Sequence, residues 1–140
     1  MKQTNRLAFI SIIALVFSSC TNYGDKVAKD FVEIYYKDGI TGEQAQKTLE
    51  ILYPSWNEAG NKKSVQLTKK ADTIYFRMVI NEEKAKDIKD ESYLMLGAGL
   101  SMSVFNNGPV NVELTDNRFN TLRTLHFQPI ETSTLNDAEN

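Results

Sequence analysis

The residues whose types suggest chemistry are few, and their spacing decides what they can do. Gly97-Ala98-Gly99-Leu100-Ser101 comes closest to a phosphate-binding or nucleophile motif. A dinucleotide fingerprint needs a third glycine where Met102 stands and a strand leading into it, and a nucleophile elbow needs glycine where Ser103 stands. These small residues therefore read as positions of close helix packing. His126 is the sole histidine, so a histidine metal site is excluded, and a Ser101–His126 pair has no nameable third group or oxyanion donors. It reads as a surface histidine on the polar side of a strand. Asp87, Asp90 and Glu91, and the pair Asp116-Asn117, lack the spaced oxygens and glycine of a calcium loop and read as caps and turns. The 18 acidic residues offer many carboxylate pairs, but separation along the chain does not set separation in space. The expectation is no catalytic residue, no metal and no cofactor.

One thiol stands apart. Cys20 is the only cysteine, and it follows Lys2 and Arg6, the apolar run Leu7 to Phe17, and the small residues Ser18 and Ser19. Charged, apolar and small zones in that order form an export signal. The run rises about 16 Å as a helix, roughly half of a hydrocarbon core, which is too short for a permanent span. Phe17-Ser18-Ser19-Cys20 resembles the lipobox of bacterial lipoproteins, with Phe17 where Leu or Val is usual. The resemblance implies cleavage before Cys20, acylation of its thiol and new N-terminus, and a lipid-anchored protein of the cell envelope. Thr21 after the cysteine, in place of aspartate, implies the outer membrane, with the domain facing the periplasm or the cell exterior.

Cleavage would remove two basic residues and no acidic one, leaving 14 basic against 18 acidic. With Lys and Arg dispersed, no nucleic-acid footprint is visible, and membrane attachment falls to the lipid at Cys20. With the thiol acylated, no disulfide or cysteine metal site remains, and stability must come from packing.

The elements that must position any site follow from periodicity. Residues 1–19 read as signal peptide and 20–24 as a lipidated tether. Residues 25–130 read as one domain, and 131–140 as a disordered polar tail. Val27, Phe31, Ile34 and Tyr35 fall at i, i+4, i+7 and i+8, predicting a first helix that stops at Gly39. Thr41 and Gln44 have the capping-box form, and Ala45, Leu49, Leu52 and Trp56 predict a second helix that Pro54 ends or kinks near Leu52. Alternation at Val65 and Leu67, then from Ile74 to Ile80, predicts a hairpin turning at Ala71-Asp72. Asn81 offers a helix N-cap. From about Asp90 to Asn106, Tyr93, Leu96, Leu100 and Val104 form one apolar stripe and Met95, Ala98, Met102 and Phe105 another. That predicts a buried helix covered by the sheet on one side and by the N-terminal helices on the other. Val110 to Leu114 and a strand through Leu125 and Phe127 predict a second hairpin. The expected fold is thus α+β: two N-terminal helices, then hairpin–helix–hairpin, with a largely antiparallel four-stranded sheet packed on a buried helix.

Tyr36 and Tyr53 fall off the predicted stripes and are the candidate partner contacts, since aromatics with polar tips favour interfaces. The functional expectation is a non-enzymatic module that binds an envelope protein or glycan. A small carboxylate hydrolase is the alternative, as is an inhibitor or chaperone-like module presenting the loop from Asn57 to Lys63.

Overall fold

The computed structural model describes residues 22–128. The predicted signal segment, Cys20 and the predicted tail lie outside the described residues. The architecture is one mixed six-stranded sheet with two helices on one face, in the order β1 (Asp25–Lys29), β2 (Val32–Tyr36), α1 (Gly42–Trp56), β3 (Lys63–Lys70), β4 (Thr73–Val79), α2 (Asp90–Ser103), β5 (Val110–Thr115), β6 (Thr121–Leu125). The strands lie side by side in chain order. β2–β3 and β4–β5 pair in parallel, and the other three pairs are antiparallel.

This overturns the expected fold at its N-terminus. The predicted first helix is the hairpin β1–β2, which raises the sheet from four strands to six, and the sheet is mixed because β2–β3 and β4–β5 pair in parallel where antiparallel pairing was expected. The stripe was ambiguous: in the hairpin Val27 and Ile34 are cross-strand partners, Tyr35 points to the other face, and Phe31 sits in the turn, 39% exposed. Asp30 turns the chain with φ 48°, a left-handed conformation that aspartate tolerates better than most residues. Val32 and Ile34 suit a pleated surface, and β2 gains a second partner in β3, which sequence periodicity cannot register.

α1 begins where the capping box places it. The Gln44 N–H donates to the Thr41 hydroxyl (3.2 Å) and the Thr41 N–H donates to the Gln44 side chain (3.0 Å). It runs four residues beyond Leu52, through Pro54. Pro54 and Glu50, whose carbonyl loses its helical donor, are both exposed, so water can take up that carbonyl and the helix continues. Asn81 caps only a single 3₁₀ turn, Glu82–Lys84. α2 starts later, at Asp90, without a side-chain cap.

α2 is not a helix buried on both sides. Its first stripe packs inward, with Leu100 fully buried, but in the second Met95 and Met102 are 75% and 63% exposed while Ala98 and Phe105 are buried; the segment expected to cover that side as a first helix is the hairpin β1–β2. Gly97 is the point of closest approach to the sheet: a Cβ there would lie 3.1 Å from the Val110 carbonyl oxygen. Ser101 is also buried and donates its hydroxyl to the Gly108 carbonyl (2.7 Å), tying the helix end to the loop before β5.

Register sorts the strand residues into two faces. Ile34, Val65, Met78 and Leu114 form a row toward the helices, and Leu67, Phe76 and Val112 form a parallel one. On the opposite, open face a single row crosses all six strands: Lys26, Tyr35, Gln66, Arg77, Glu113 and Thr124. The pair β2–β3 runs one way and β4–β5 the other, while strand order advances in one direction and both helices contribute to one core. The two crossovers therefore have opposite hands, and one of them is the rare left-handed kind. A rotation carrying β1–β2–α1 onto β3–β4–α2 would put α2 on the open face, so the two helix–hairpin units are not copies related by a simple rotation.

Candidate functional site

The helical face carries a cleft where the two helices diverge. Its volume is about 500 Å³, and it is lined by Ser55, Trp56 and Glu58 from the end of α1 and the loop beyond, Lys63 and Met78 from the sheet, and Ser92, Tyr93 and Leu96 from α2. Periodicity explains the walls: Trp56 closes the apolar stripe of α1, and Tyr93 and Leu96 open that of α2. The Trp56 ring meets Phe76 edge to face, with centroids 6.0 Å apart, which fixes the indole against the fully buried centre of the sheet. Lys63 starts β3, its backbone N–H donating to the Phe31 carbonyl (2.8 Å). Glu58 stands at the rim in a loop closed by the Glu58–Asn61 bridge. Such a cleft can receive a flat or apolar group between two aromatic walls while an ammonium and two hydroxyls meet its polar edge.

The open face is built differently. Gln66, 1% exposed, donates to the Tyr23 carbonyl (2.9 Å) and accepts from Arg77. Arg77 also donates to Glu113 (2.7 Å) and to the Phe119 carbonyl (2.6 Å), and the Thr121 hydroxyl donates to Glu113 (2.9 Å). Tyr23, Tyr35 and Phe119 stack edge to face above this network, with centroids 5.2–5.9 Å apart. A second cluster holds Glu33, 6% exposed, between Lys62 (3.0 Å), Lys26 (3.5 Å) and the Ser64 hydroxyl (2.8 Å). Burial alone pushes the Glu33 carboxyl up, but the hydrogen bonds from Lys62 and Ser64 and the two ammonium charges outweigh it and hold the carboxyl below its ordinary range. Lys62 is held above its ordinary value by the same hydrogen bond.

The tyrosines singled out from sequence do not share a surface. Tyr36 is half-buried on the helical face, its hydroxyl beside Gly42 at the start of α1. Tyr53 lies about 16 Å further along that helix. Its hydroxyl donates to the Asp30 carboxylate and accepts from the Asn57 amide (3.0 Å), while the Lys29 ammonium stands 4.1 Å from its ring centroid. The bond to Asp30 raises the Tyr53 pKa. His126 is exposed just beyond β6, and Ser101 is committed to Gly108. Among the described residues no three His, Cys, Asp or Glu side chains converge to hold a metal ion, and no helix is long and apolar enough to cross a membrane.

Sequence reasoning took Trp56 for core and passed over Lys63, Gln66, Arg77 and Tyr23. Arg77 had a signal, a cation at the centre of a strand whose alternate residues are all apolar. Lys63 and Tyr23 had none, since their roles depend on partners brought close by the fold: Tyr93 for Lys63, and Gln66 and Phe119 for Tyr23.

The arrangement defines a class: a two-layer α/β domain with one polar, open sheet face and one helical face that holds an aromatic cleft. Residues 26–126, from β1 to just past β6, match the model of the AF_1994_N family N-terminal domain, and the chain belongs to that family. No curated protein and no solved structure matches the chain.

Proposed function

We propose that this chain is a lipid-anchored cell-envelope protein, held in the membrane through acylated Cys20, whose domain works without catalysis by binding an envelope protein or glycan in the cleft between α1 and α2. The order of charged, apolar and small residues before Cys20 supports the anchoring. The observation that carries the binding role is the cleft itself, lined by the aromatic rings of Trp56 and Tyr93 and by Lys63. Its occupant presents a flat or apolar group with an anionic or hydroxylated edge. Outside the cleft, Glu33 and Glu113 are paired with cations and Ser101 is bound to a backbone carbonyl. The cleft holds a single carboxylate, Glu58, where carboxylate hydrolysis needs two.

The test is capture from the native envelope by the full-length acylated protein, comparing wild type with Trp56→Ala, Lys63→Gln, Tyr36→Ala and Tyr53→Ala. The reading requires the first two variants to lose the bound component while remaining folded. Turnover of an envelope substrate that disappears in His126→Ala would contradict it.

A further inference from the structure

We propose that the open face of the sheet is the surface turned toward the bilayer, where its cations meet anionic lipid headgroups; the inference rests on the acylation of Cys20 proposed above. The first support is where the chain leaves the fold. Tyr23 lies on the open face, its carbonyl accepting from Gln66 and its ring against Tyr35 and Phe119. Gly24 follows with φ 96°, so close to β2 that a Cβ would fall 2.2 Å from the Tyr36 carbonyl oxygen. Only glycine fits there, and it turns the chain between β1 and Tyr23. Cys20 is three residues before Tyr23, a reach of at most about 11 Å. The helices lie on the other side of the sheet, about 10 Å further off, so an acylated Cys20 brings the open face to the headgroups and holds the helical cleft away from them.

The second support is the sign of what this face exposes. Its carboxylates within the strands are withdrawn: the Glu33 and Glu113 side chains are 8% and 12% exposed, and each is paired with a cation, whereas Asp38, 60% exposed, lines the same face beside Lys70. Its ammonium groups project instead, with Lys26 and Lys62 exposed at 46% and 65% although both serve the one carboxylate of Glu33. Lys70, also exposed, continues the same face at the end of β3. Lys37 and Asp38 at the margin form a pair (4.0 Å), and Asp116 is enclosed by its own loop, accepting from the Arg118 and Asn120 N–H groups. A chain that is acidic overall therefore shows a cationic, tyrosine-bearing surface where its lipid would be attached. That is the composition suited to an anionic headgroup layer.

The experiment uses the full-length acylated protein in vesicles of phosphatidylethanolamine and phosphatidylglycerol that contain no other protein. With Cys20 acylated, a single introduced cysteine can be labelled with a fluorophore, at Thr68→Cys or Lys70→Cys on the open face and at Ile51→Cys or Met95→Cys on the helical face. Headgroup-attached quenchers are expected to quench the open-face labels several-fold more than the helical ones. Hydrogen exchange of the unlabelled protein is expected to slow at residues 62–70 and 116–121 on vesicles and to stay unchanged in α2. Equal quenching on both faces, or stronger quenching at Met95, overturns the orientation while leaving the anchoring intact. Protection of the open face that appears only in native envelopes assigns that face to a protein and also overturns it. Failure of the wild type to be acylated overturns the anchoring, and this inference with it.

Discussion

The two faces of the sheet solve the same problem in opposite ways. On the helical side, rows of Val, Ile, Leu and Phe are removed from water by α1 and α2, and the cover is incomplete only where the helices part at Trp56 and Tyr93. On the open side no helix among the described residues lies across the strands. Gln66, Glu33 and Arg77 are nevertheless buried or nearly so, shielded by Tyr23, Phe119 and one another. A buried apolar residue needs only contact, whereas a buried polar one needs each donor and acceptor matched; every buried side-chain nitrogen and oxygen among the described residues has a partner. The lesson is a division of labour. The helical face carries the stability and the cleft, and the open face carries a rigid polar surface of fixed charge.

The largest effect should come from the helical face. Phe76→Ala removes a ring that is fully buried and supports Trp56, and is expected to cost about 3 to 5 kcal/mol in thermal or denaturant unfolding. Leu100→Ala should cost about 2 to 5 kcal/mol. An unchanged melting temperature for either would mean that this side is not the core.

On the open face, Arg77→Ala leaves Glu113 without its cation and the oxygen of Gln66 without its donor. A loss of about 1 to 3 kcal/mol is expected, below that of Phe76 because both charged side chains retain some access to water. If Arg77→Ala costs more than Phe76→Ala, the assignment of stability to the helical face is reversed.

A smaller effect should follow pH. The folded-state pKa of Glu33 lies below its ordinary 4.5, so its contribution is present in full above that value and is lost as pH falls through the folded value. Unfolding midpoints should therefore drop on acidification below the ordinary carboxylate range, and Glu33→Gln should flatten that part of the profile. Lys62, shifted upward, contributes below its ordinary 10.5 and loses that contribution as pH rises through its folded value. Because its side chain is 65% exposed, solvent screening keeps this alkaline effect small. Tyr53→Phe should be smaller still, since it removes only two exposed hydrogen bonds, one to Asp30 and one from Asn57.

Local signals made much of the chain legible. Ile74, Phe76 and Met78 alternate because one face of β4 is buried, and Thr41 with Gln44 marks the start of α1 to the residue. Legibility failed where a second partner decides the structure. Val27 to Tyr35 satisfies a helical stripe and a hairpin equally well until β3, some thirty residues on, pairs with β2. The apolar segment from Tyr93 to Phe105 is helical through Ser103, and of its second stripe Ala98 and Phe105 are buried while Met95 and Met102 stay exposed. The cleft was illegible for a similar reason: Trp56, Lys63 and Tyr93 converge only because both crossovers pass on the same face, a property of topology and not of any window of sequence. Tyr36 and Tyr53 drew notice through their chemistry, and the structure places them at opposite ends of one helix.

The central claim, that the helical cleft is where a partner binds, has a built-in reporter, because Trp56 is the only tryptophan in the chain. Its fluorescence should be followed while the full-length acylated protein is titrated separately with soluble cell-wall fragments and with envelope proteins, binding being measured independently by co-sedimentation. The account predicts a saturable blue shift and shielding from a soluble quencher that track binding, both lost in Lys63→Gln. Binding that saturates while the Trp56 emission and its quenching stay unchanged would contradict it.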